Sequence, residues 1–386
     1  MIKTTYLTIL KSSILVLFLC SVLFLSGCGS RHSREESLMP YTWRVSTIEA
    51  VGLNPEPIIE AANRIRNQDY KNIHSLLIVR NRTLVYEEYF AGIDGRKGFI
   101  EFDKDTLHDL RSVSKSVTSA LIGIAIDRGY IESVDVPIFQ FFPEYADHRT
   151  DEKNRITLKH LLTMTAGFEW DQSGAHQSEP DSPNSEAQME NSSDFIEYVL
   201  SKEISDEPGA RFNYNSGCTI LLAGVIKNVS GMHADRFAEK YLFRPLGIDR
   251  HDWWRTANGL PQTHAGLLLC PRDMAKIGQL YLDQGRWKDQ QIVRASWISE
   301  STEPHFKHKR YGFGWWLDNF SVQGRTLKGY IAQGNGGQFI FVIPDIHLVI
   351  VFTGGNYGSS IANQAFKIVN EYVLPAVNES PINSSQ

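Results

Sequence analysis

Strand patterns lie near both ends of this chain, and helical patterns fill its middle. Apolar residues cluster in Ser75–Val79 and continue less regularly through Thr83–Phe90, with a plausible turn between them. A second and more apolar pair, Phe339–Ile343 and Leu348–Phe352, flanks the turn Pro-Asp-Ile near the other end. The last segment, Ser360–Leu374, repeats apolar residues at helical spacing. Strands this far apart in the chain favour one sheet that both chain ends build together.

The middle of the chain carries short apolar segments with helical spacing. The most apolar stripe comprises Val117, Leu121, Ile124 and Ala125, and it stops at Gly129, a residue that favours the conformation found after helices. Further candidates are TLKHLLTMTAG, SDFIEYVLSKEI, TILLAGVIKNVSG, ADRFAEKYLFRPLG and PRDMAKIGQLYLDQG. The sequence therefore predicts an α+β fold in which helices flank an antiparallel sheet from both chain ends, with a mainly helical insertion at about residues 130–290.

Composition and charge exclude some classes of function. The 386 residues are 42% hydrophobic and 22% charged with a net charge of −5, as in an ordinary globular protein. No basic face or stripe is present, so we expect no nucleic-acid partner. Histidines are scattered without a metal-ligand spacing such as His-Glu-x-x-His, so we predict neither a metal nor a cofactor. The polar stretch Asp171–Ser193, rich in Ser, Pro and Asn, is predicted to be a functional lid or a disordered segment.

The N-terminus has the pattern of an export signal. Lys3 and Lys11 precede an apolar run, Ile14–Leu25, that ends in Leu-Ser-Gly-Cys. The run is shorter than the roughly 20 residues that a membrane-spanning helix needs. Leu-Ser-Gly-Cys resembles the lipobox of bacterial lipoproteins, and this resemblance implies that Cys28 receives the lipid. An uncleaved anchor and a plain secretory signal are the alternatives.

These patterns predict a lipoprotein signal peptide at residues 1–28, a polar tether at 29–45 and a folded domain at 46–380. No aspartate follows Cys28, which in the lipoprotein resemblance implies a location on the periplasmic side of the outer membrane, if the cell has one. Cys218 and Cys270 remain in the mature chain. They either pair in an oxidising compartment or stay as buried thiols.

A serine and a lysine, Ser112 and Lys115, stand three residues apart where the most apolar helix begins. Residues at this spacing share a helix face. The unpaired N–H groups of the first turn would stabilise an oxyanion, and the N–H of Ser112 could be one arm of an oxyanion hole. Partial burial would favour the neutral form of Lys115, which could then accept the serine proton. Such a pair arises about once by chance in a chain of this length, but this one is unique here and points a lysine into an apolar stripe.

Two further segments are candidates for parts of the same site. Tyr214, Asn215 and Ser216 form a polar break before an apolar helix, where a tyrosine could exchange a proton with the serine or the leaving group; a core tyrosine is the alternative. Gln333–Gln338 is rich in glycine and precedes a strand. It would let a substrate approach the backbone and could supply a second oxyanion N–H, unless it is a plain glycine bulge. It is not a dinucleotide-binding motif, because a strand and not a helix follows it.

In this order the motifs resemble those of the β-lactamase and penicillin-recognising serine hydrolases, above all the class C-type branch. That branch includes class C β-lactamases, D-alanyl-D-alanine carboxypeptidases, family VIII esterases and aminohexanoate-dimer hydrolases. Further matching motifs are ITLKHLLTMTAGFEW, PGARFNYNSG, LFRPLGI, PRDMAKIGQLYLDQGRW, YGFGWW and GNGGQFIFVIPD, so the likeness runs from about Ser75 to Leu374. The motifs YNSG and GNGGQ resemble the aminohexanoate-dimer hydrolases and the esterases most.

The resemblance implies a role for each matching position. Ser112 would be the acylated nucleophile, Lys115 its activating partner, and Tyr214 the general base for acylation and the acid for the leaving group. Substrate-binding positions would be Ser216, Gly334, Asn335, Gly336, Gly337 and Trp170, the last of which is as well explained by packing. Many relatives have an asparagine that contacts the lysine where this chain has Ser216.

Relatives carry Lys-Thr-Gly or His-Thr-Gly where this chain has Gly334–Gly336. In the relatives that cation commonly binds the carboxylate of β-lactams and peptides, and a glycine cannot. The sequence thus predicts an exported, lipid-anchored serine hydrolase that cleaves a small ester or amide through an acyl-enzyme on Ser112. A β-lactamase or D,D-peptidase acting on β-lactams or peptidoglycan peptides is one alternative. A non-catalytic envelope binding lipoprotein is the other.

Overall fold

A computed structural model of the protein describes residues 43–172, 183–307 and 309–378. The strands are β1 Arg44–Val45, β2 Ile73–Arg80, β3 Thr83–Tyr89, β4 Gly92–Asp94, β5 Gly98–Ile100, β6 His108–Asp109, β7 His251–Trp253, β8 Leu267–Leu269, β9 Arg286–Trp287, β10 Gln290–Gln291, β11 Trp316–Val322, β12 Arg325–Gly334, β13 Gln338–Ile343 and β14 Leu348–Gly354. The helices are α1 Pro55–Arg66, α2 Val113–Asp127, α3 Leu158–Leu162, α4 Ser185–Glu190, α5 Phe195–Ser201, α6 Ser216–Ser230, α7 Ala234–Ala238, α8 Arg244–Leu246, α9 Pro271–Leu282, α10 Ala295–Ser301 and α11 Gln364–Ile368.

Both predicted hairpins are confirmed, and they meet in the middle of a large sheet. In the described part of the chain this sheet has seven strands in the order β1-β3-β2-β14-β13-β12-β11. Strand β14 pairs antiparallel with β2, with Ile350 opposite Ile78, and this pairing joins the two chain ends. All neighbours in the sheet are antiparallel except the short edge strand β1, which runs parallel to β3. The predicted α+β fold is therefore confirmed.

The central strands are buried on both faces because side chains alternate between two core clusters. One cluster contains Val349 and Val351 of β14 together with side chains from the helices α2, α6 and α9. The other takes Leu348, Ile350 and Phe352 together with α1 and the C-terminal helix. This arrangement explains why β13 and β14 read as nearly continuous apolar runs.

Each helical segment predicted in the middle of the chain contains a helix. Helix α2 buries its whole length from Val113 to Ile126, and Gly129 follows it with φ of +74°. In the C-terminal segment the helical spacing predicts one apolar face of Ile361, Ala365, Ile368, Val369 and Tyr372, and all of these residues except Ile361 are buried. That residue lies in a 3-10 turn before α11 and is 48% exposed.

The polar stretch Asp171–Ser193 is not entirely a loop. Helix α4 lies within it, and the side chain of Asn184 caps this helix by accepting hydrogen bonds from the N–H groups of Glu186 and Ala187. Residues 173–182, which belong to the same predicted lid or disordered segment, lie outside the described residues.

At the N-terminal end the folded part includes residues that the sequence pattern assigns to the tether. Trp43 is buried, and Arg44–Val45 forms β1. The predicted signal peptide, Cys28 and the rest of the tether lie outside the described residues. Among the helices of the described chain, none combines the length and the hydrophobicity that crossing a membrane requires. Cys218 and Cys270 are both buried free thiols.

Candidate active site

The sequence folds so that Ser112 stands at the start of α2. Strand β6 pairs with β8, with His108 opposite Leu269, and fixes the chain just before the serine. Arg111 then takes the left-handed conformation, with φ of +47°, which is uncommon for a residue with a side chain. This turn of the chain places Ser112 at the helix N-terminus, where the N–H groups of Val113 and Ser114 bond to the carbonyls of Leu110 and Arg111.

Lys115 is buried beside the serine. Its Nζ donates to Ser112 Oγ at 2.9 Å and to the backbone carbonyl of His264 at 2.7 Å, while the residue is only 2% exposed. A lysine that is held against a serine hydroxyl away from water can exchange a proton with that hydroxyl. The predicted pairing of Ser112 and Lys115 is thus present in the structure.

Tyr214 lies next to Lys115, half-buried between that lysine and the rings of Tyr311 and Trp316. Its ring stacks on Trp316 with centroids 5.8 Å apart, and it meets Tyr311 edge to face. The Nζ of Lys115 is 5.1 Å from the centroid of the Tyr214 ring. Burial raises the pKa of Tyr311 well above its ordinary value, so this neighbouring phenol stays protonated.

A cleft of about 620 Å³ opens beside these residues. Its described lining is Arg111, Ser112, Gln172, Asn184, Glu186, Glu190, Tyr214, Ala265, Asn335, Tyr357 and Gly358. The guanidinium of Arg111 is paired with Asp109 at 2.8 Å and lies 5.1 Å from the ring centroid of Tyr357. Burial raises the pKa of Asp109 despite that partner.

The glycine-rich turn borders the cleft. Gly334 ends β12, Gln338 begins β13, and Gly336 and Gly337 have φ of +93° and +103°, which only glycine adopts readily. Asn335 lines the cleft, and its Oδ1 accepts a hydrogen bond from the N–H of Gly358 at 2.9 Å. The predicted substrate-binding glycines therefore lie in the turn that carries Asn335 into the cleft.

Ser216 makes no hydrogen bond to the lysine in the described structure. It is completely buried, its hydroxyl donates to Glu186 Oε1 at 2.6 Å, and the amide of Gln172 donates to its Oγ at 2.8 Å. Trp170 joins the same network, because its indole N–H donates to Gln172 at 3.0 Å. These two predicted substrate-binding side chains thus support the wall of the cleft from behind.

Trp170 also lines a second cavity of about 730 Å³ that shares Gln172 and Tyr214 with the cleft beside Ser112. The cavity contains two basic side chains, Lys202 and Arg211. That Trp170 is a substrate-binding position remains a prediction, and its place next to the cleft is compatible with it.

Sequence patterns did not identify the acidic wall of the cleft or His264. The donor atoms of Glu186, Glu190 and His264 lie within 4.8 Å of one another, a set that could ligate a divalent cation. Hydrogen bonds within the protein also account for their arrangement: Glu186 accepts from Ser216, and His264 Nε2 is 3.0 Å from Glu190 Oε1. One signal was available, since Glu186 and Glu190 are four residues apart and so share a face of α4.

The family of the chain follows from comparison with known proteins. Residues 74–363, well over half of the 386, match the Beta-lactamase family. The chain belongs to that family, and the predicted resemblance is confirmed. It is a serine hydrolase of the β-lactamase-related kind.

The names of individual relatives refer to several different activities. The 6-aminohexanoate-dimer hydrolase of Paenarthrobacter ureafaciens is 26% identical over 304 residues, covering 72% of this chain and 71% of that protein. A protein of Escherichia coli (strain K12), provisionally named a D-alanyl-D-alanine carboxypeptidase, is 21% identical over 385 residues, with 82% and 86% covered. The crystal structure of a family VIII carboxylesterase shares the fold, with a TM-score of 0.62 at 16% identity over 82% of this chain and 96% of that chain.

Proposed function

We propose that the protein hydrolyses an ester or amide bond of a small molecule through an acyl-enzyme on Ser112. One observation carries this proposal: the Nζ of Lys115, almost excluded from water, lies 2.9 Å from Ser112 Oγ at the edge of an open cleft. Within hydrogen-bond reach of the hydroxyl, a neutral lysine can act as the base that a serine nucleophile needs.

The reaction runs in two halves. Lys115 accepts the proton of the Ser112 hydroxyl, and Oγ bonds to the substrate carbonyl carbon. The backbone N–H of Ser112 and a second donor from the turn after Gly334 stabilise the oxyanion. Tyr214 gives its proton to the leaving alcohol or amine as the carbonyl–leaving-group bond breaks, and it regains a proton from Lys115. Water then attacks the acyl ester, the freed hydroxyl of Ser112 is restored, and a carboxylic acid leaves.

The absence of a cation at position 334 supports an ester or amide substrate over a β-lactam. The charged side chains that line the described cleft are Arg111, Glu186 and Glu190, and Arg111 is already paired with Asp109. Two carboxylates in the wall would repel a substrate carboxylate that comes near them. Among the relatives, the name of the aminohexanoate-dimer hydrolase indicates an amide substrate, and the name of the carboxylesterase an ester.

A substrate panel tests the proposal. The soluble domain, beginning at Pro40 so that Trp43 and β1 are kept, would be assayed with short-chain p-nitrophenyl esters, an anilide, nitrocefin and a D-Ala-D-Ala peptide, beside Ser112→Ala. We expect turnover of esters or the anilide by the wild type only. Turnover of nitrocefin or the peptide ahead of the esters would instead assign the β-lactamase or D,D-peptidase function. No turnover of any compound would favour the non-catalytic binding lipoprotein.

We also propose that the enzyme is exported and anchored to the cell envelope through a lipid on Cys28. The support is the apolar run after Lys11 that ends in Leu-Ser-Gly-Cys. Cells that express the full chain would be labelled with an alkyne fatty acid, beside cells with Cys28→Ala and, as a matched control, Cys20→Ala. Label on the wild type and on Cys20→Ala, but not on Cys28→Ala, is the expected result. Equal label on all three would contradict it.

A further inference from the structure

We infer that Glu190 and His264 are positioning residues for Lys115, an inference that rests on the proposed function. His264 offers its backbone carbonyl to the lysine ammonium, and Glu190 holds the imidazole of the same residue. Neither side chain has a role in the reaction as proposed above. Their place in the structure is that of a support for the base.

The carbonyl of His264 is one of two hydrogen-bond acceptors for the Nζ of Lys115. The two hydrogen bonds of Lys115 in the described structure go to this carbonyl, at 2.7 Å, and to Ser112 Oγ, at 2.9 Å. Ser216 turns its hydroxyl to Glu186, so no side chain at that position assists the lysine. The direction of the lysine amine therefore depends on where the backbone at His264 lies.

The imidazole of His264 is itself fixed by α4. The residue is completely buried, its Nε2 lies 3.0 Å from Glu190 Oε1, and its ring meets Phe195 at a centroid distance of 6.4 Å. The titratable groups that face it are Glu190 and Glu186 from α4 and Lys115 from α2.

The backbone around His264 is fastened to the two long helices and to the segment around Trp254, whose N–H donates to the carbonyl of Gly266 at 2.9 Å. The hydroxyl of Thr263 donates to the carbonyl of Thr219 on α6 at 2.7 Å, and Thr118 on α2 donates to the carbonyl of Thr263 at 3.2 Å. The contact from Glu190 to His264 adds an anchor from α4 at the residue whose carbonyl the lysine uses.

The chemistry of an amine explains why this anchor matters. A neutral lysine has two N–H bonds and one lone pair, so an N–H donated to the His264 carbonyl leaves the lone pair free to point at the Ser112 proton. After proton transfer the ammonium donates to both oxygens. If the carbonyl moved, the amine could rotate away from the serine, and a displacement of about 1 Å costs about 100-fold in rate.

The test compares Glu190→Ala, Glu190→Gln and His264→Ala, assayed for kcat and KM on a neutral p-nitrophenyl ester and for the pH profile of kcat/KM. A second pair of the same residue types, His148 and Glu197, lies 3.9 Å apart on the surface and supplies the controls His148→Ala and Glu197→Ala. We expect Glu190→Ala and His264→Ala to lower kcat about 100-fold with KM nearly unchanged. Glu190→Gln should recover most of kcat and the wild-type pH profile, because the amide oxygen accepts the same imidazole N–H.

Three results would overturn the inference. One is a kcat for Glu190→Ala equal to those of the surface controls. The second is a Glu190→Gln variant as slow as Glu190→Ala, since the carboxylate charge would then matter and not its hydrogen bond. The third is loss of wild-type activity with a chelator and recovery with zinc, which would make the cluster a metal site.

Labelling of Ser112 by a fluorophosphonate separates this inference from the proposed function. If the wild type is labelled and Glu190→Ala is labelled equally fast, only the positioning role fails. If the wild type is not labelled, the proposed function fails, and the positioning role fails with it.

Discussion

Gly334 faces the backbone of Leu110 so closely that a Cβ atom at position 334 would lie 2.2 Å from the Leu110 carbonyl oxygen. Leu110 is two residues before Ser112. Its N–H donates a hydrogen bond to the carbonyl of Leu267 at 2.9 Å, so this backbone is not free to move away. The position that carries a cation in related enzymes is therefore closed to any side chain in this protein. The glycine is a consequence of how β12 approaches the segment that leads to Ser112.

This contact makes Gly334→Ala a test of the local packing. The new methyl group must push β12 or Leu110 aside, and we expect the free energy of unfolding to fall by about 1–3 kcal/mol. Because Leu110 leads to Ser112, kcat should fall as well. Gly95→Ala is the control, since its Cβ would meet Tyr357 at an ordinary 3.4 Å. Wild-type stability and kcat in Gly334→Ala, measured by urea unfolding and ester hydrolysis, would contradict the assigned contact.

Removal of the lysine should abolish most catalysis. In Lys115→Ala the Ser112 hydroxyl loses its base, and we expect kcat/KM for an ester to fall by at least about 1,000-fold. The matched control is Lys153→Ala, which removes another buried lysine whose Nζ donates to the carbonyl of Leu200 at 2.8 Å. That variant should lose stability and keep the wild-type kcat. Similar kcat/KM values for the two variants would exclude Lys115 as the base.

Tyr214→Phe isolates the phenol hydroxyl. The phenylalanine ring can keep the stacking on Trp316, so the fold should be unaffected, while loss of the proton donor should lower kcat by about 100-fold or more. The loss should be smaller for a p-nitrophenyl ester than for an alkyl ester, because p-nitrophenolate leaves without a proton. Tyr130→Phe, which loses only a contact with Tyr241, is the control. An equal loss on both esters would argue against the role as an acid.

Two buried histidines predict how stability depends on pH. Phe102 stacks on both His74 and His108, with ring centroids 3.8 and 4.9 Å away, and the two histidine rings lie 5.5 Å apart. Burial lowers the pKa of His74 to about 4 and that of His108 to about 3. The unfolded chain takes up these protons near pH 6.5, well before the folded chain does. Between pH 6.5 and 4 the unfolded state therefore binds more protons, and the free energy of unfolding falls as the pH falls.

Urea unfolding at a series of pH values measures this dependence. Each neutral histidine should contribute a loss of about 1.4 kcal/mol per pH unit inside the window. In His108→Gln the dependence should be less steep, whereas the surface variant His148→Gln should match the wild type. An unchanged slope in His108→Gln would mean that His108 is already protonated in the folded protein.

The parts of the fold that could be predicted are the strands and helices whose apolar residues form a clear pattern along the sequence. Strands β13 and β14 are buried on both faces, so their apolar runs stand out in the sequence. The hairpin of β11 and β12 was not predicted, because exposed polar residues interrupt both strands. A signal was nevertheless present, since Gln323 and Gly324 both have positive φ and a Gln-Gly pair suits a two-residue turn.

The residues of the candidate site also fall into those that the sequence could predict and those that it could not. Ser112 and Lys115 could be predicted as a pair because one helical turn brings them together. His264 is 149 positions from Lys115 and contributes only its backbone carbonyl, which no residue type reveals. Glu190 was not recognised because polar residues surround α4 and give it the composition of a loop. Ser216 matched a motif position, yet long-range packing turned its hydroxyl toward Glu186.

The most direct test of the account is the intact mass of the soluble domain after exposure to a fluorophosphonate. The wild type should gain one adduct, as Ser112 Oγ bonds to phosphorus and fluoride leaves. Ser112→Ala should gain none, and Lys115→Ala should react far more slowly. Absence of an adduct on the wild type, or an equal adduct on Ser112→Ala, would contradict the claim that Ser112 is an activated nucleophile.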